Sequence, residues 1–176
     1  LMAARRLLDP GDFGGLLRAT VVIAFRYNVI GSQHTGEQER VYHDVAMRLN
    51  DRRARRLAEV LDALRPVYRS DAQFRADFEE KSIKTTQTRN AKIVRWVLSE
   101  LERQAGGADL DPESDLYSLE HVLPQSPLTG WEAFGDRDLE GFIYRIGNRT
   151  LVERNRNREI ANRSYPDKRL VLKQSG

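Results

Sequence analysis

Glu120 and His121 stand side by side three residues before Pro124, and such a pair has the chemistry of a hydrolytic site. Imidazole titrates near neutrality and accepts a proton from water. A carboxylate supplies the hard oxygen that magnesium prefers. On a regular strand the two side chains point to opposite faces, so one shared site requires a strand end or a bulge. Pro124 predicts an ending there. A lone acid and histidine would mean little, but a second polar segment follows: Ile146-Gly147-Asn148-Arg149-Thr150-Leu151, then Asn157 and Asn162. Asn148 sits in a Gly-Asn turn, for which turn chemistry is explanation enough. Asn157 falls inside a predicted helix, where asparagine has poor propensity and needs another reason to be present. His34 and His43 have no such company and read as structural.

Charge adds a second cue. The net formal charge of +3 says little by itself, yet the stretch from Arg145 to Lys173 holds nine basic residues against three acidic ones. Arg149, Arg156, Arg158, Arg163 and Lys168 within it are suited to lying along phosphates. A solvated helical face with arginines paired to nearby acids is the competing explanation. Arg52, Arg53, Arg55 and Arg56 read as a solvated helix face, with DNA contact as the alternative.

The elements that must position these residues follow from periodicity. Leu17, Val21, Ala24, Phe25 and Asn28 trace a helical face, with a strand as the alternative at the β-branched run Val21-Val22-Ile23. Val41, Val45, Ala46 and Leu49 give one helical stripe; Leu57, Val60, Leu61 and Leu64 give another that stops before Pro66. Phe74 and Phe78 anchor a shorter helix. Ile93, Val94, Val97, Leu98 and Leu101 define a strong one that closes at Gly106-Gly107. Beyond that break the texture changes. Leu116 to Leu123 reads as an extended run ended by Pro124, and residues 126–141 as loop with one helical stretch. Gly147-Asn148 reads as a hairpin-like bend into a strand at Thr150 to Val152, followed by helices over 156–161 and 167–174. The predicted class is α+β, mainly α-helical: a helical lobe over 1–107, then a small unit over 108–176 in the order strand, long loop, strand, helix.

Composition bounds the function. The 176 residues suffice for a buried core, and 40% hydrophobic with 31% charged is an ordinary soluble balance. With no cysteine there is neither a disulfide nor a thiolate zinc site, and a reducing cytoplasm is the expected location. No apolar run is expected to span a membrane, since Thr20 to Phe25 meets Arg26. Leu7-Leu8 runs into Asp9-Pro10-Gly11, which is no signal peptide. The opening Leu1 suggests a piece of a longer protein. Trp96 and Trp131 are expected in a core or an interface.

The string Glu120-His121-Val122-Leu123-Pro124-Gln125, followed by Gly147-Asn148, Thr150-Leu151, Asn157, Asn162 and Lys168, resembles the C-terminal nuclease domain of GmrSD-type modification-dependent restriction enzymes. In the same order it is similar to the HNH (His-Me finger) domain of CRISPR effector nucleases. The match is concentrated between Ser118 and Lys168; the helices before it resemble the same family more loosely. The resemblance implies a ββα-metal motif that cuts double-stranded DNA with Mg2+ or Mn2+, His121 as general base, and Glu120 and Asn157 as metal ligands. Asn148 would fix the loop and orient the His121 ring, Lys168 would hold a phosphate, and Asn162 would cap or end a helix. Pro124 and Gln125 belong to the motif's frame. One carboxylate and one amide make a sparse ion site, for which weak metal affinity without DNA is expected. Two departures stand out: Glu120 replaces the aspartate of the CRISPR-type domains, and Arg149 occupies a position that is usually apolar.

The same resemblance implies an upstream nucleotide-hydrolysing sensor domain as partner, with no membrane role. Some relatives respond to phosphorothioate-modified DNA and others to glucosylated or methylated phage DNA. Two further readings stay open: a DNA-binding or regulatory module whose HNH site is degenerate, and a helical lobe that docks onto the missing N-terminal part. The first predicts DNA binding without cleavage.

Overall fold

The computed structural model describes residues 1–127, 129–134 and 139–174. The chain is mainly helical with one small antiparallel sheet, the α+β class expected. It packs as two compact units, Leu1–Glu80 and Lys81–Gly176.

The first unit is all helix. Helix α1 (Met2–Leu7) precedes α2 (Pro10–Ile23), which starts where its residues dictate. Asp9 Oδ1 accepts the Asp12 N–H at 2.9 Å and Pro10 fills the first helical position, where a missing N–H costs nothing. Asp12 in turn accepts from the Leu57 N–H at 2.8 Å, tying α2 to the start of α4 (Leu57–Leu64). Between them runs α3 (Thr35–Asn50); α5 (Asp71–Glu80) closes the unit. The predicted stripes Val41, Val45, Leu49 and Val60, Leu64 meet Leu16, Ile23 and Tyr27 in one core.

Val21-Val22-Ile23 is helical, and α2 continues into wider π-helical turns at Ala24–Ile30. The helix over Pro10–Ile30 is therefore long and apolar enough, by length and composition, to cross a membrane. That corrects the expectation that Arg26 ends the apolar run. Arg26 stays in the helix because its charge is used locally: it bonds Asp71 at 2.6 Å and the Arg69 carbonyl at 3.1 Å, and lies over the Phe74 and Tyr68 rings. The basic run Arg52 to Arg56 is a second correction. It forms the turn between α3 and α4, with Arg52 at φ +57° and Arg53 paired to Asp51 at 2.7 Å, and is no helix face.

The second unit holds the sheet. Its first helix, α6 (Thr88–Gln104), ends at Gly106, whose φ of +82° suits glycine. The boundary read from sequence at 107 thus differs from the packing, because α6 sits with the sheet and against β2. Strand β1 (Tyr117–His121) pairs antiparallel with β2 (Arg149–Glu153) in unbroken register, Glu120 opposite Thr150 and His121 opposite Arg149. Helix α7 (Leu139–Ile143) lies in the connection, of whose expected loop (126–141) residues 128 and 135–138 fall outside the described set. Gly147-Asn148 is part of one 3-10 turn, Ile146–Asn148, that runs straight into β2, where the sequence suggested a hairpin-like bend. Helices α8 (Arg154–Ile160) and α9 (Tyr165–Leu172) follow.

Two anchors brace the segments on either side of β1. Trp131 is buried with Leu123 and Ile143, its indole N–H donating to the Arg163 carbonyl at 3.1 Å, whereas Trp96 is largely exposed. Arg95 of α6 spreads its guanidinium over three carbonyls, those of Pro112 (2.6 Å), Ser114 (2.5 Å) and Tyr117 (2.8 Å). This clamp fixes the irregular acidic segment that leads into β1.

Candidate nuclease site

Opposed residues of an antiparallel pair point to the same side, so the register sorts the candidates by face. Ser118 and Glu120 share one face with Val152 and Thr150; His121 shares the other with Arg149. No bulge re-aims either side chain. The strand does end at His121, three residues before Pro124, but its pairing is regular up to that residue, so Glu120 and His121 stay on opposite faces.

On the first face, α8 and α9 supply the partners. Asn157 of α8 donates its amide N–H to Ser118 Oγ at 2.7 Å. Lys168 of α9 has 0% exposure; its ammonium donates to Glu120 Oε1 and, at 2.7 Å, to the His121 carbonyl. Burial pushes the Glu120 carboxyl up, against the pull of Lys168 and of the His121 backbone N–H. Lys168 is therefore no open phosphate contact, a correction whose cause is this enclosed ion pair. Its aliphatic stem spans α9 to reach a strand end and anchors the helix there.

On the second face His121 is only partly exposed, its ring edge-on to Tyr144 with centroids 6.1 Å apart. Its Nε2 is buried with no partner. Burial, then the positive charges of Arg149 and Lys168, depress its pKa from 6.5 to about 4. At neutral pH the ring is uncharged, with one nitrogen free to accept a proton. Between pH 4 and 6.5 the unfolded chain would bind a proton that the folded chain refuses. His121 thus contributes stability that is fully present above about pH 6.5 and is lost as the pH falls toward 4. An NMR titration of the His121 ring protons in the DNA-free chain is expected to give a midpoint far below the usual imidazole value; a midpoint near 6.5 would refute this environment.

Asn148 secures the turn between the two. Its Oδ1 accepts the Leu123 N–H at 2.8 Å, and its amide nitrogen donates to the carbonyls of Leu123 (3.0 Å) and Ile143 (3.1 Å). The expected loop-fixing bonds are present. These amide bonds all go to loop backbone, and the His121 ring is positioned by Tyr144 and by the strand pairing. Pro124 is buried next to this staple, and Gln125 is exposed. Asn162 is exposed just past α8, whose end is made by Ala161 at φ +33°.

The arginines divide. Arg149 is 5% exposed and Arg156 pairs with Glu153 at 2.5 Å, so the basic run is partly enclosed and partly paired. Arg158 and Arg163 are exposed and, among the described residues, carry no ion pair. Sequence reasoning missed Tyr144 and Arg95. The aromatic at 144 offered no motif, and the Arg95 carbonyl clamp joins segments about twenty residues apart with no periodic signal.

A divalent ion needs several oxygen ligands converging on one point. Here the Glu120 carboxylate is already held by a cation, Lys168, and among the described residues no three His, Cys, Asp or Glu side chains cluster. As arranged, the donor set does not fit the ion.

Strand, long connection, strand and helix, with an acid and a histidine closing the first strand, define the class: a small α+β domain with a half-buried imidazole at the end of its first strand. The chain belongs to the family of GmrSD restriction endonuclease C-terminal domains, whose family model matches residues 68–176. It is thus a domain of restriction-nuclease type, and the family implies DNA as substrate and suggests a divalent-metal requirement. Among curated proteins, none matches the chain.

Proposed function

We propose that the chain is the cutting domain of an anti-phage restriction enzyme, an HNH (His-Me finger) endonuclease in which His121 is the general base. The observation that carries this reading is a buried, unpartnered imidazole nitrogen at the end of β1 in a chain of this family. His121 Nε2 takes a proton from water as the water oxygen bonds to phosphorus, and the P–O3′ bond breaks while the departing 3′ oxygen takes a proton from solvent. The products carry 5′-phosphate and 3′-hydroxyl ends. A base depressed to about 4 is uncharged but weak, burial being the larger cause and the Arg149 charge the next; an anion beside Arg149 offsets only that charge.

Glu120 and Asn157 would hold Mg2+ or Mn2+ only in an arrangement in which Lys168 has left the carboxylate and the ligands reach the face that carries His121. The Lys168 contact is also the observation that favours the second reading, a DNA-binding or regulatory module with a degenerate site. Exposed Arg158 and Arg163 suit the DNA backbone in either case. The first unit docks onto an upstream nucleotide-hydrolysing sensor of modified DNA, in the cytoplasm and away from membranes.

One site attacks one strand, so supercoiled plasmid incubated with the full chain and magnesium or manganese is expected to turn open-circular first, and chelator to stop it. Linear product with no open-circular stage would overturn the nicking assignment. DNA bound in a gel shift but never cut would favour the degenerate module.

A further inference from the structure

Arg149 is a buried guanidinium with nothing to neutralise it. It is 5% exposed, and among the described residues no carboxylate pairs with it. Of its donors, Nη2 bonds the Ile83 carbonyl at 2.7 Å, while Nε and Nη1 are buried without partners. Burying a charge and two unmet donors is costly, and a side chain kept only for packing would be better apolar. The unmet groups therefore call for a ligand, and only an anion supplies both the charge and the acceptors.

Its surroundings say which anion chemistry. Arg149 lies directly across the strand pair from His121, and its guanidinium sits over the Tyr144 ring at 5.5 Å. The same ring meets the His121 imidazole edge-on. Three unsatisfied nitrogens, Nε and Nη1 of Arg149 and Nε2 of His121, thus border one aromatic side chain on one face of the sheet. Phosphoryl oxygens are strong acceptors for guanidinium N–H groups, and a tetrahedral phosphate presents several at once.

We propose that Arg149 is a substrate-binding residue that holds a phosphate next to His121, its free N–H groups taking phosphoryl oxygens against the Tyr144 ring. The phosphate being the one that is cut rests on the nuclease reading; the anion site itself does not. Removing such a donor from a developing oxyanion slows cleavage by about 100-fold or more.

The test uses the full chain, Arg149→Met and Arg149→Lys. Inorganic phosphate titrated into the parent is expected to shift the Arg149 Nε–H resonance and the His121 ring resonances together, and to leave His121 unmoved in Arg149→Met. Arg149→Met is expected to melt no lower than the parent yet to cleave plasmid about 100-fold more slowly, with Arg149→Lys recovering part of the rate. Parental cleavage by Arg149→Met, a phosphate titration that moves neither resonance, or a loss of cleavage matched by a loss of folding would each overturn the proposal. A parent that shifts with phosphate but never cuts DNA supports the anion site and sinks the nuclease reading alone.

Discussion

His121→Ala is expected to lower the plasmid-nicking rate by about 10²–10⁴-fold, the usual worth of a positioned general base. The loss should fall on the rate and leave DNA affinity near parental, because the ring contributes proton transfer and not a phosphate contact. Folding should survive, since the substitution removes a buried nitrogen that has no partner. A thermal midpoint at or above the parental one, measured with the rate, separates chemistry from unfolding. Cleavage within threefold of the parent would end the assignment of His121 as base.

Lys168→Met is expected to be the most destabilising single change in the second unit. It strands the Glu120 carboxylate in a buried place and removes the ammonium that also caps the His121 carbonyl. Breaking one side of an enclosed ion pair costs roughly 3–5 kcal/mol. Adding Glu120→Leu to Lys168→Met should recover most of that loss, because an apolar pair of similar bulk escapes the desolvation penalty. Urea unfolding followed by tryptophan fluorescence measures this directly: Trp96 and Trp131, the chain's two tryptophans, both lie in the unit Lys81–Gly176. A midpoint unchanged in Lys168→Met would show that the pair carries no weight in the fold.

The two residues also explain how much the sequence revealed. Helices with apolar stripes, such as Val41 to Leu49 or Val94 to Leu101, were legible because one-sided burial imposes a period that a sequence displays. Both strands were legible from β-branched and apolar runs bounded by Pro124 and Gly147. The motif led to the right segments, yet it left open which side chains meet. Whether Lys168 reaches solvent or a carboxylate depends on where α9 lies against β1, a contact across 48 residues with no periodic trace. Arg149 read as surface charge for the same reason, since nothing local shows that Ile83 and Tyr144 enclose it. The packing units divide at 80/81 and not at the Gly106-Gly107 break, which is a helix end, and helix ends need not separate packing units.

The Arg95 clamp carries a consequence for the base. An arginine that donates to three peptide oxygens is locked in direction as well as in place, so the chain enters β1 at an angle dictated by α6. Four residues onward, roughly 13 Å at strand rise, that angle has become the location of the imidazole. Lysine at 95 offers one ammonium where three oxygens wait, and the aim of a side chain far along the strand would drift with it. The direction of the His121 ring is thus set from α6, through a contact made at the opposite end of the strand.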